Sequence, residues 1–216
     1  MPIRAVVFDL DGLMFNTEDV FHVAGDAFMR RRGLEMTDRV RDGMIGRRGP
    51  EALRHLVETT GLREPVEAIG AELREIFMDL LDAHLRPMPA LFELLAHIEE
   101  RKLPKGVATS SSRRYMENIL GRYQLLPRFA MTLTAEDVVR GKPEPDIYLK
   151  AAETLGVSTS EMLVLEDSEA GTRAAAAAGA VIVSVPHRHT ARHDFSTARH
   201  VASSLGDPLI FRLLNA

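Results

Sequence analysis

Five short runs of mainly apolar residues punctuate the chain, at 5–8 (AVVF), 106–109 (GVAT), 130–134 (AMTLT), 162–166 (MLVLE) and 181–185 (VIVSV). Within each, apolar residues follow one another with little alternation. A strand with one wet face alternates apolar and polar residues, whereas a strand covered on both faces does not. The runs therefore predict buried strands of a sheet covered on both faces. Helical patterns fill the intervals. Leu91, Leu94, Leu95 and Ile98 follow the i, i+3, i+4, i+7 spacing, and Met116, Ile119 and Leu120 repeat it more briefly. The stretch RAAAAAGA is a strong helix former that meets a natural stop at Gly179. Alternating strand and helix predicts an α/β fold with a parallel sheet and right-handed crossovers.

The interval 16–85 breaks this rhythm. Val66, Ile69, Leu73, Ile76, Phe77, Leu80 and Leu81 form one helical stripe, and segments 18–32 and 50–60 also read as helices. That much helix between the first two strands exceeds a single crossover. We expect residues 16–85 to form a helical domain inserted into an α/β core of residues 1–15 and 86–216, with hinges near 15–17 and in the RPMP stretch at 86–89.

Composition narrows the function classes. The net charge is −4 and the pI about 6.1, which favours neither nucleic acid nor a membrane surface as partner. No apolar run approaches the roughly 20 residues of a membrane span, and the opening MPIRAVVFDL is not expected to be a signal peptide. The chain has no cysteine, which excludes disulfides, thiolate metal sites and cysteine nucleophiles and fits a cytoplasmic setting. A monomer is expected, with a dimer as the alternative.

In parallel sheets ligands bind at the carboxyl ends of the strands. The first run ends on Asp9, with Asp11 two residues on. The second ends on Thr109, followed by Ser110, Ser111 and Ser112. The fourth ends on Glu166 and continues into Asp167. Lys142 lies in the loop GKPEPDIY, whose helix is expected to start near Pro145. Taken singly, each has a plain structural reading: a DG turn, a helix cap, a solvated lysine, a second helix cap. Together at one sheet edge they place four carboxylates, one ammonium and a hydroxyl cluster. Such a cluster calls for a hard cation, and Mg²⁺ suits oxygen ligands beside a substrate phosphate. The phosphate would sit on the metal, held by Thr109, Lys142 and the amides of the serine-rich turn.

The motifs DLDG, ATSS, GKPEPD and LEDSEAG, in this order and spacing, resemble those of the haloacid dehalogenase-like superfamily, in particular its magnesium-dependent phosphotransferases. The helical insert after the first motif resembles the β-phosphoglucomutase-like subgroup. The resemblance implies a Rossmann-like core with an inserted helical cap that closes over the site. It implies Asp9 as nucleophile, Asp11 as acid and base, and Thr109, Ser110 and Lys142 as holders of the phosphoryl group. It also implies Mg²⁺ on Asp9, the Asp11 main-chain carbonyl, Asp167 and Glu166. The expected substrate is a small phosphorylated metabolite, a sugar phosphate or nucleoside monophosphate.

Departures from the family pattern shape this expectation. Mutase members carry a histidine at the position aligned with Phe21 and an arginine at that of Gly49, so hydrolysis is expected over phosphomutase activity. Asn16 stands where the family usually has Asp. Arg47 and Arg48, between glycines, are candidates to grip the substrate, with Met14 and Phe15 as further guesses. The stretch PHRHTARH, with His187, His189 and His193, lacks a helical i, i+4 pair and is read as a loop, not a metal site. Tyr115, Tyr123 and Tyr148 are read as half-buried helix residues. Two other classes fit the pattern less well: a metal-independent dehalogenase, which needs no such acidic cluster, and a non-catalytic, receiver-like signalling module, which is about half this length.

Overall fold

The computed structural model describes residues 2–44 and 49–215. The chain separates into two compact units, one of residues 1–16 and 87–216, the other of residues 17–86.

The first unit is built on a parallel six-stranded sheet. Its strands are β1 (Ala5–Phe8), β2 (Lys105–Ala108), β3 (Met131–Leu133), β4 (Met162–Glu166), β5 (Val181–Ser184) and β6 (His200–Val201), in the order β3-β2-β1-β4-β5-β6. β1 and β4 coincide with their apolar runs, and β2 starts one residue earlier than expected, so Thr109 stands just past its end. β6 was not expected; it is two residues long and lacks an apolar run. Four helices of this unit fall between strands in the chain, α5 (Leu91–Glu100), α6 (Arg113–Arg122), α7 (Asp146–Leu155) and α8 (Glu169–Ala177), and α9 (Pro208–Asn215) follows β6. Side chains alternate across a strand. Ala5 and Val7 thus share one face, where they pack in a cluster with Ile147, Tyr148 and Ala151 of α7 and Ala174 and Ala175 of α8. Val6 and Phe8 on the other face are fully buried too, and Phe8 meets Phe129 edge-on. Two-sided burial is the reason these strands carry unbroken apolar sequence.

The strand order sets the site. From β1 the chain builds outward to β2 and β3, then crosses back to place β4 on the other flank of β1. The order in which strands are added therefore reverses beside β1, and such a switch point leaves a crevice at the carboxyl ends of the strands. In register, Phe8 pairs with Leu165, so Asp9 and Glu166 leave their strands side by side.

The second unit is helical, with α1 (Thr17–Arg30), α2 (Asp38–Met44), α3 (Gly49–Thr60) and α4 (Val66–His84). The α4 stripe is inward: Ile69, Ile76, Phe77 and Leu81 are buried. Phe21 of α1 stacks on Phe77 with ring centroids 4.0 Å apart. Arg32 covers the Phe28 ring and pairs with Glu64 and Glu72. Among the described residues, no helix is long and apolar enough to cross a membrane.

β2 opens on a buried cation. Lys105 is paired with Glu99 at 2.8 Å, and Arg128 binds the same carboxylate at 2.8 Å. Hydrogen bonding from Arg128, then from Lys105, lowers the Glu99 pKa from 4.5 to about 2. A depressed carboxylate stabilises the fold above its unfolded pKa and loses that contribution as pH falls toward its folded one. Denaturation followed across pH is expected to show wild-type stability declining between about pH 4.5 and 2. Glu99→Gln should lower stability at neutral pH and flatten that part of the decline.

Candidate active site

Asp9 is the first residue beyond β1, and its amide donates to the Leu165 carbonyl of β4 at 3.0 Å, which ties it to the neighbouring strand. The carboxylate is buried. Lys142 reaches it from the loop ahead of α7. The lysine Nζ lies 2.5 Å from Asp9 Oδ1, 2.6 Å from Glu166 Oε1 and 3.0 Å from the Ala108 carbonyl. Each of its three N–H groups thus has an acceptor. Burial alone would lower the lysine pKa, but the carboxylates of Asp9 and Glu166 outweigh it and hold the pKa well above that of a free lysine. Burial pushes the Asp9 pKa well above the ordinary carboxylate range; Lys142 draws it down, and Glu166, Asp167 and Asp11 push it further up.

Glu166, the last residue of β4, is fully buried. Its Oε1 accepts from Lys142 and from the Tyr148 hydroxyl at 2.7 Å. Its Oε2 accepts from the amides of Asp167 and Ser168 at 3.1 and 3.2 Å and from Ser168 Oγ at 3.0 Å. Ser168 Oγ in turn caps α8 by accepting from the Gly171 amide at 3.1 Å. The Tyr148 hydroxyl is held in its protonated, donating form, because burial and the Glu166 charge raise its pKa well above the usual phenol. Tyr148 is therefore a fully buried polar partner, not a half-buried helix residue.

Asp11 stands among hydroxyls. Tyr115 donates to its Oδ1 at 2.7 Å, Ser111 to its Oδ2 at 2.7 Å, and Thr109 to the same oxygen at 3.4 Å. Thr109 is buried and Ser110 exposed, and Thr109 Oγ1 accepts from the Ser111 amide at 3.0 Å. Tyr115, in the first turn of α6, thus meets a candidate catalytic group that its sequence position did not signal. Met14 and Phe15, guessed as substrate contacts, are fully buried, with the Phe15 ring tilted against Tyr123 at 4.9 Å. Arg47 and Arg48 lie outside the described residues.

The acidic groups converge. Asp9, Glu166 and Asp167 each bring one oxygen to within 4.8 Å of the others, and all three are buried. Three carboxylates against the one ammonium of Lys142 leave two surplus negative charges when all are ionised. Only oxygen donors are on offer in this set. Charge and donor type both fit a hard divalent cation such as Mg²⁺.

His187, expected from the sequence to be a plain loop residue, meets the acidic cluster at Asp167. Its Nε2 lies 3.0 Å from Asp167 Oδ2. The usable signal was its place, three residues past the end of β5 at the same sheet edge as the other groups. None of His187, His189 and His193 is itself in the acidic cluster found among the described residues.

The family model of the haloacid dehalogenase-like hydrolases matches residues 6–185. The validoxylamine A 7'-phosphate phosphatase of Streptomyces hygroscopicus subsp. limoneus is 34% identical over 195 residues, covering 87% of this chain and 88% of that protein. A probable pseudouridine-5'-phosphatase of Drosophila melanogaster is 31% identical over 207 residues, covering 93% and 89%. Among solved structures, one described as a putative β-phosphoglucomutase from Thermotoga maritima superposes with a TM-score of 0.83 at 26% identity, covering 99% of this chain and 97% of that one. The chain belongs to the haloacid dehalogenase-like hydrolase family. Within it, the protein is an enzyme of the phosphoric monoester hydrolase class.

Gly171 offers a test of this geometry. In most helices Gly→Ala stabilises by about 1 kcal/mol. Here a Cβ at Gly171 would land on the Glu166 carboxylate, which five donors hold in place. Gly171→Ala is expected to have the opposite sign, destabilising by about 1–3 kcal/mol in denaturant titration, and to lower activity by displacing the partner of Lys142.

Proposed function

We propose that the protein is a Mg²⁺-dependent phosphatase that hydrolyses a small phosphorylated metabolite, a sugar phosphate or nucleoside monophosphate, through an aspartyl-phosphate on Asp9. The observation that carries this reading is the convergence of Asp9, Glu166 and Asp167 within 4.8 Å of one another, with Lys142 between two of them. The names of the relatives, which are phosphatases of small phosphorylated molecules, favour the same substrate class.

In the first step an Asp9 carboxylate oxygen attacks phosphorus. The bond to the ester oxygen breaks, and Asp11 gives that oxygen its proton. In the second step a water attacks phosphorus and Asp11 takes the water's proton. The bond to Asp9 then breaks, and inorganic phosphate leaves. Thr109 and the Ser110 amide orient the phosphoryl oxygens, and Lys142 offsets charge on them. The hydroxyls of Tyr115, Ser111 and Thr109 fix the Asp11 carboxyl between these two proton transfers. Asp9, the Asp11 main-chain carbonyl and Asp167 would hold Mg²⁺. Glu166 belongs to the same acidic cluster, but its oxygens already accept five protein donors, so its main part is to anchor Lys142. When bound, the cation supplies charge neutralisation that lets a carboxylate approach a phosphate dianion. The helical unit is read as the cap of this family.

A panel of sugar phosphates and nucleoside monophosphates, assayed for released phosphate with Mg²⁺, is the test. At least one should turn over, and its turnover should fall by more than about 10³-fold in Asp9→Asn and vanish with EDTA. Turnover that survives both treatments contradicts the mechanism. Interconversion of a sugar phosphate in the presence of its bisphosphate, without phosphate release, would mark a mutase instead.

A further inference from the structure

We propose that His187 is a positioning residue: its Nε2–H sets the orientation in which the Asp167 carboxylate receives the divalent cation. The inference rests on the magnesium reading above and goes beyond it, to a residue outside the acidic cluster.

The tautomer follows from the hydrogen bonds. The His189 amide donates to His187 Nδ1 at 3.2 Å, and an N–H can donate only to a bare lone pair. In the neutral ring the proton is then on Nε2, which faces Asp167 Oδ2 at 3.0 Å. The backbone that carries the ring is also tied down. The His187 amide donates to Thr190 Oγ1 at 3.1 Å, and the Thr190 amide donates back to the His187 carbonyl at 3.0 Å. Thr190 is itself buried. One step earlier, the Val185 amide donates to the Glu166 carbonyl at 2.6 Å, so the loop leaves β5 already fastened to β4. Both ring nitrogens and the main chain of His187 thus have assigned partners, all of which aim the N–H at one carboxylate.

The loop after β1 makes room for the contact. Gly12 has φ +75°, and a Cβ there would lie 2.5 Å from both Asp167 Oδ2 and His187 Nε2. A side chain at position 12 would therefore strike the contact from above.

The chemistry of the donor matters. A lysine or arginine on Asp167 would orient the carboxylate but cancel the charge a cation needs. A neutral imidazole N–H fixes the plane of the carboxylate and leaves its charge in place. Lys142 already performs the charged task on Asp9 and Glu166. Partners that orient a metal ligand through its outer oxygen typically change metal affinity by about 10–100-fold when removed. The effect should fall on the cation and spare substrate recognition.

The test is calorimetric titration of Mg²⁺ into metal-free wild type, His187→Ala, His187→Gln and Asp167→Asn, with steady-state kinetics at saturating Mg²⁺ alongside. His187→Ala is expected to weaken Mg²⁺ binding about 10-fold or more, with the KM for the phosphate ester unchanged once Mg²⁺ is saturating. His187→Gln, whose amide N–H can reach the same oxygen, should recover most of the affinity. Wild-type Mg²⁺ affinity in His187→Ala, or no recovery in His187→Gln, overturns the inference. Asp167→Asn separates the two levels. If it binds Mg²⁺ as wild type does, the placing of the cation on Asp167 fails and the role of His187 with it. If it binds weakly while His187→Ala binds normally, only the role of His187 fails.

Discussion

Lys142 threads its ammonium between two buried carboxylates, and the ligand edge of the sheet is arranged around that contact. Asp9 belongs to β1 and Glu166 to β4, adjacent strands whose register delivers the two acids side by side. Two such charges in a buried setting repel, and each has lost its water. The ammonium meets both at once, with the Ala108 carbonyl of β2 as its third acceptor. One side chain therefore ties three neighbouring strands together at their carboxyl ends. Removing a single partner from such a buried set leaves an uncompensated charge, at a cost of about 3–5 kcal/mol. The arrangement is stable only as a whole.

The same contact explains why the two tandem acids after β4 differ. Glu166 faces Lys142 and Tyr148 with one oxygen and the start of α8 with the other. It is consumed in holding the lysine and the helix. Asp167, one residue on, meets His187. Two adjacent carboxylates thus meet different partners, set by their position along one strand end. Asp11 is different again, since its partners are hydroxyls, which orient a carboxyl without adding charge.

Much of this was legible before any coordinates. Continuous apolar runs announced β1 and β4 because strands covered on both faces admit few polar residues. The α4 stripe announced a helix because its buried face repeats with the helical period. The edge rule for parallel sheets named Asp9, Thr109, Lys142, Glu166 and Asp167 as neighbours although they are far apart in sequence. What escaped has a common cause. The sequence gives no role to Tyr115, Tyr148 or His187, and each becomes polar machinery only through a partner that the fold supplies: Asp11, Glu166 and Asp167. β6 escaped because two half-exposed or exposed residues leave no hydrophobic trace. Met14 and Phe15 follow Asp11 closely in sequence, and the loop after β1 turns both inward, where they are fully buried.

The account stands on the idea that these buried acids, with their surplus of negative charge, are built to receive a divalent cation beside Lys142. The most direct measurement is anomalous scattering from crystals grown or soaked with Mn²⁺ in place of Mg²⁺. The account predicts an anomalous peak bonded to the carboxylates of Asp9 and Asp167, with the Lys142 ammonium still seated on Glu166. No peak there, or a cation bound elsewhere while Lys142 alone serves the acids, would contradict it.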